Sequence, residues 1–203
     1  MGKTRQAGFT LIELMVALAV MAIVLSFAIP SFESIVNSNR LSSAANEMVA
    51  SIQTAKMESL RRNRRAVVCL SDAPNLTTPA CSGLTSTTGG WITFVDENAN
   101  GTFDNTATPP IPADTLLRTS LIKAPVQVLV SAQLPAGKLI VRSDGLARDN
   151  TGTALLSGSL DVCIPTRRPA ENVRHVNIGF GSAVSIASEN ESAACNTPAN
   201  YVP

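Results

Sequence analysis

Glu13 sits where a carboxylate is costly. It is the only charged residue in an apolar stretch, residues 9–29, that reads FTLIELMVALAVMAIVLSFAI. The stretch has about the ~20 residues that a helix needs to cross a bilayer core. A carboxylate in such a segment costs about 2.5–3.5 kcal/mol unless it is neutral or paired. Two readings follow: Glu13 lies close enough to the helix end to reach the interface, or it has a cation brought near when chains associate. A free α-amino group at Phe9 suits the second reading, because it lies one helical turn away in the same chain or a neighbour. The preceding MGKTRQAG carries Lys3 and Arg5, which keep that end cytoplasmic and place the rest of the chain outside the cytoplasm. No clean A-x-A site follows the apolar stretch, so the helix is expected to be retained as an anchor.

The remaining reactive residue types are sparse. His175 is the only histidine and alternates with Asn177 in a strand-like run, which favours a satisfied strand residue over a ligand or base. Four cysteines, Cys69, Cys81, Cys163 and Cys195, are present, none at C-x₂₋₄-C spacing, so zinc is not expected. Outside the cytoplasm they are free to form disulfides, and four cysteines allow three pairings. Nearness in sequence favours Cys69 with Cys81 and Cys163 with Cys195. Asp96, Asn98, Asn100, Gly101 and Asp104 follow the start of a calcium loop, but Ala107 stands where the bidentate Glu belongs. A polar turn with Gly101 at positive φ is the simpler reading. No G-x-S-x-G or comparable spacing supports nucleophilic catalysis. No catalytic residue, metal or cofactor is therefore expected.

Composition agrees with an anchored, ordered protein. The 203 residues include 45% apolar and only 15% charged residues, too apolar for disorder. Lys+Arg 16 against Asp+Glu 15 leaves a net charge of +1, which creates no global field for nucleic acid or anionic lipid. With one Trp, one Tyr and 4% aromatics, an aromatic platform for sugars or bases is not expected.

The elements that must position these residues are legible in outline. Pro30 should kink the helix, since it lacks the N–H and crowds the preceding turn. Beyond it Leu41, Ala45, Met48, Val49, Ile52 and Ala55 recur with helical period, and polar Ser43, Asn46, Glu47, Ser51 and Lys56 sit between them. Arg61, Arg62, Arg64 and Arg65 suit a helix C-terminus, with the end near Asn63. Short runs at 66–70, 91–95, 126–131, 138–142, 160–164, 174–178 and 183–187 read as antiparallel strands. Residues 72–90 and 102–114, rich in Thr, Ser, Gly and Pro, read as loops. The expected architecture is α+β: a long N-terminal helix, half membrane and half amphipathic, packed on an antiparallel β head. Its segments are a leader (1–8), a membrane and assembly helix (9–29), an amphipathic helix (30–63) and a β-rich head (64–203).

Gly8-Phe9-Thr10-Leu11-Ile12-Glu13, ahead of an unbroken apolar run, resembles the type IV prepilin motif of pilins and type II secretion pseudopilins. The resemblance implies that a prepilin peptidase cuts after Gly8 and N-methylates Phe9. It also implies that Glu13 assists assembly by pairing with a neighbour's N-terminus. Gly90-Trp91-Ile92-Thr93-Phe94-Val95-Asp96, Leu116-Leu117-Arg118, Arg142-Ser143-Asp144-Gly145 and Arg174-His175-Val176-Asn177-Ile178 further resemble the GspH/FimT group of minor pilins. That group has no catalytic activity of its own. The implied role is a minor pilin or pseudopilin subunit that primes or caps a type IV pilus or a type II secretion pseudopilus. Its partners would be other pilins or pseudopilins, the prepilin peptidase and the inner membrane, crossed once with the head in the periplasm.

A pilus-tip DNA receptor is the alternative. The DNA-binding members resembled carry a G-R-x-R element in the C-terminal hairpin, and the matching stretch here is Gly181-Ser182-Ala183-Val184. Both arginines are absent, so phosphate contacts are fewer. Arg167, Arg168 and Arg174, just upstream, are the candidate substitutes if the fold gathers them on one face. Nucleic acid is thus a possible partner but not the favoured one.

Overall fold

The structure is a computed structural model that describes residues 8–107, 109–110, 112–149 and 154–202, without the side chains of Phe27, Ala28 and Pro30. Residues 1–7 of the expected leader, with Lys3 and Arg5, lie outside them. One helix, α1, spans Leu11–Arg62, 52 residues, so the segments expected on either side of position 30 form one helical element. Thr10 is its N-cap, with an extended backbone, and its side chain accepts from the Glu13 backbone N–H, satisfying one of the orphan donors of the first turn. Asn63 ends the helix in the left-handed conformation at φ 52, a conformation Asn tolerates. Its N–H donates back to Leu60.

Among the described residues, ten strands follow in two five-stranded sheets. The first contains β1 (Arg65–Ser71), β3 (Gly90–Asp96), β4 (Thr115–Leu121), β6 (Lys138–Val141) and β7 (Ala147–Arg148), in the order β4-β3-β1-β6-β7. The second contains β2 (Ser86–Thr87), β5 (Gln127–Val130), β8 (Gly158–Cys163), β9 (Val173–Ile178) and β10 (Val184–Glu189), in the order β10-β9-β8-β5-β2. All named pairs are antiparallel. The arrangement is α+β, with the C-terminal half of α1 laid against the inner faces of both sheets.

The core forms where these three surfaces meet. Leu41, Ala45, Met48, Ile52 and Ala55 of α1 meet Val68, Leu70, Trp91, Leu139 and Val141 from the first sheet. From the second sheet come Val128, Val130, Leu160, Val162, Val176 and Ile178. Ser51 departs from the expected polar face: it is fully buried within the stripe. Its Oγ accepts from Trp91 Nε1 at 2.9 Å while donating to the Glu47 carbonyl. A buried indole N–H needs an acceptor, and helical spacing from Met48 and Ala55 brings Ser51 to it.

Both sheets are also covered on their outer faces, and a disulfide fastens each cover. Val67, Cys69, Ile92, Phe94 and Ile140 point outward from the first sheet and pack with Cys81 and Phe103. Cys69–Cys81 ties the 72–90 segment there. Leu129, Cys163 and Val173 point outward from the second sheet and pack with Cys195, and Cys163–Cys195 ties down the segment that follows β10. Strands buried on both faces read as continuous apolar runs rather than alternating ones, as β1 and β3 do.

Three stretches differ from expectation, one of them β7, a two-residue strand paired with β6 at the edge of the first sheet. The 72–90 segment contains β2, a two-residue strand paired with β5, which is too short to carry a period. Strand β4 was not expected as a strand. It is a sheet edge in which only Ser120 is buried, so TLLRTSL lacks the apolar alternation of a half-buried strand. Arg118 and Ser120 instead bond both carboxylate oxygens of Glu47 on α1, at 2.6–2.8 Å.

Candidate assembly site

The Gly8–Phe9 peptide precedes the helix. Gly8 is exposed, with no heavy atom near its missing Cβ, and Phe9 is 85% exposed. Extended Thr10 separates this peptide from the first helical residue, Leu11. The Gly8–Phe9 peptide therefore lies outside the helical ladder. Glu13 lies in the first turn of α1, where the positive end of the helix dipole favours an anion.

The helix behind it has no protein cover. Leu11, Ile12, Leu14, Met15, Val16, Leu18, and others through Leu25 are more than half exposed. The most apolar window of α1 has a mean hydropathy of 2.6 and none of it is buried. Such an apolar surface far exceeds what a monomeric soluble protein leaves to water. Burial begins near Asn37 and Leu41, so α1 has an uncovered, apolar N-terminal half and a C-terminal half packed into the head. Asn37 marks the changeover, donating through Nδ2 to the carbonyl of Arg168 at 2.9 Å.

The three arginines considered for nucleic acid are not gathered on one exposed face. Arg174 is buried, and its guanidinium donates to the carbonyls of Glu171 and Val173. Arg168 faces Glu33 of α1 at 3.7 Å. Arg167 is exposed.

The calcium-like turn is organised by protein donors. Asp96 accepts from Arg65 at 2.6 Å and from the backbone N–H groups of Asn100 and Gly101, and Gly101 has φ 74. Asp104 accepts from the side-chain amides of Asn98 and Asn100, and these bonds hold its carboxyl below the usual range. Asp114 closes the loop by accepting from the Glu97 and Asp104 N–H groups. Burial, aided by the charges of Asp96 and Asp104, pushes its carboxyl up. Among the described residues, no group of three His, Cys, Asp or Glu is placed to hold a metal ion.

One polar cluster escaped the sequence reading. His175 on β9 bonds Asp161 of β8 through Nδ1 at 2.7 Å and Glu189 of β10 through Nε2 at 2.8 Å. The available signal was Asp161 itself, an acid inside the otherwise apolar strand reading SLDVCI.

Comparison with known proteins identifies relatives of the chain. Residues 44–181 match the family described as type II transport protein GspH, and residues 3–29 match the prokaryotic N-terminal methylation motif. The chain is 32% identical over 99 residues to the pilin-like protein PilA1 of Thermus thermophilus, a stretch that is 48% of this chain and 53% of that protein. The chain thus spans about half the length of the curated relative it matches. No solved structure matches it.

Proposed function

Because the chain belongs to the type II transport protein GspH family of pilin-like proteins, we propose that it is a minor pilin or pseudopilin subunit that primes or caps a type IV pilus or type II secretion pseudopilus. The observation that carries this reading is the uncovered apolar half of α1, with an accessible Gly8–Phe9 peptide and Glu13 at its start.

In this account prepilin peptidase removes residues 1–8 and methylates the new amine of Phe9. Residues 9–29 cross the inner membrane once, and residues 64–203 form the periplasmic head on an amphipathic stretch, 30–63. A cationic amine at a helix N-terminus meets the positive end of the dipole, and in hydrocarbon it is poorly solvated. A carboxylate one turn along offsets both costs. When Glu13 of one subunit meets the amine of another, each charge gains its partner on assembly. The same apolar surfaces that hold the subunit in lipid then pack against other pilin helices, where close packing replaces contact with acyl chains.

DNA binding is not advanced as a second reading, because Arg174 and Arg168 already have protein partners. Deleting the chain and counting filaments tests the priming role. Fewer filaments of unchanged diameter support it, while a normal number contradicts it. Piliation and protein secretion measured in the same deletion strain separate the two machines.

A further inference from the structure

Strand β10 is an edge strand with little of its surface packed. Five of its six residues are exposed, and among the described residues only β9 pairs with it. Edge strands with one neighbour are held by a single ladder. Here a polar chain runs across the sheet beside that ladder. Asp161 is fully buried; its Oδ1 accepts from Ser159 Oγ at 3.0 Å and contacts His175 Nδ1 at 2.7 Å. Its Oδ2 has no hydrogen-bond partner. Asp161 and His175 are direct cross-strand partners, as are His175 and Ala187. Glu189, two residues beyond Ala187, completes the chain through His175 Nε2.

We propose that Asp161, His175 and Glu189 form a proton-dependent latch that fastens β10 to the body of the head. With His175 cationic, both ring nitrogens donate, one to each carboxylate, and buried Asp161 faces a positive charge. With His175 neutral, only one nitrogen donates, so one carboxylate loses its bond. Asp161 then lies buried without a counter-charge, a costly state. Opening leaves β9 as the sheet edge, with an unpaired row of backbone groups available to a neighbouring chain.

The surroundings define the competing groups. Glu191 and Tyr201, from the segment after β10, line the same gap beside His175 and Glu189. Arg174 projects to the opposite face of β9, as strand alternation requires. The Asp161 hydrogen bond raises the His175 pKa most; burial opposes it, and the Asp161 and Glu189 charges add to the rise. A raised histidine pKa means that the latch is fully present below about pH 6.5, the unfolded value, and is lost as pH rises through the folded value.

Hydrogen exchange of the full chain in detergent micelles, corrected for intrinsic rates, tests this between pH 6 and pH 9. Protection of β10 should be lost progressively as pH rises through this range, while β3 in the other sheet keeps its protection. His175→Gln should abolish that dependence, and Glu191→Gln and Tyr201→Phe should retain it. A β10 protection independent of pH, or a dependence that survives His175→Gln or vanishes in Glu191→Gln or Tyr201→Phe, overturns the proposal. If His175→Gln does not fold, Glu189→Gln decides. A weakened dependence in that variant supports the latch, and an unchanged one overturns it.

Discussion

Replacing Ser51 with Ala should loosen the head from its helix. The Ser51 Oγ is the acceptor for the Trp91 indole N–H at 2.9 Å, and both side chains are fully buried. Ser51→Ala leaves that donor unpaired in the core, which costs about 1–3 kcal/mol. The Glu47 carbonyl also loses the hydroxyl, but it keeps its place in the helical ladder. Alanine is the better helix former, which offsets roughly 0.5 kcal/mol. The net expectation is a destabilisation of about 0.5–2.5 kcal/mol. Trp91 is the only tryptophan, so its emission follows unfolding of the head in urea without a label. The midpoint should fall with an unchanged slope, the signature of a stability change alone. Gln53→Ala, exposed on the same helix, is the control and should shift stability by less than about 0.5 kcal/mol. A Ser51→Ala change no larger than that of Gln53→Ala would falsify the argument that this hydrogen bond joins α1 to the first sheet.

Glu13→Val should insert and be processed normally, because it makes the membrane helix more apolar, yet it should enter filaments poorly; sheared-filament fractions measure this, and wild-type incorporation would leave Glu13 without an assembly role. Cys163→Ser with Cys195→Ser opens a bridge of sequence separation 32. It should cost roughly 3–4 kcal/mol by loop-closure entropy and expose the segment after β10 to protease; an unchanged urea midpoint and digestion pattern would count against the disulfide's fastening role. Burial pushes the Glu47 carboxyl up, but bonds from Ser120 and Arg118 outweigh it and hold it below the ordinary value. Its contribution is therefore present above about pH 4.3, the unfolded value, and is lost as pH falls through the lower folded value. Glu47→Gln should reduce the acid dependence of the urea midpoint relative to wild type, and identical pH profiles would refute this.

Much of the fold was legible because burial follows simple periods. The i, i+3, i+4 recurrence of Leu41, Ala45, Met48, Ile52 and Ala55 set one face of α1, and Asn63 was expected as its end. The runs around Val67 and Ile92 read as strands from their apolar, β-branched character. What stayed hidden depended on partners distant in sequence. Strand β4 is stabilised through Arg118 and Ser120 against Glu47, an arrangement that no local pattern in TLLRTSL announces. Ser51 looked like a solvent-facing residue because its acceptor role needs Trp91, 40 positions away. His175 acquired its two carboxylates only when β8, β9 and β10 were placed side by side. The start of α1 was legible for the opposite reason: Gly8, Phe9, Thr10 and Glu13 lie within six successive residues, and their spacing is itself the information.

The most direct test of the pilin account is mass spectrometry of the mature N-terminus, isolated from cells that contain prepilin peptidase. The account predicts a chain beginning at Phe9 and carrying one N-methyl group. A chain beginning at Met1, or at a residue after the apolar helix, would contradict it.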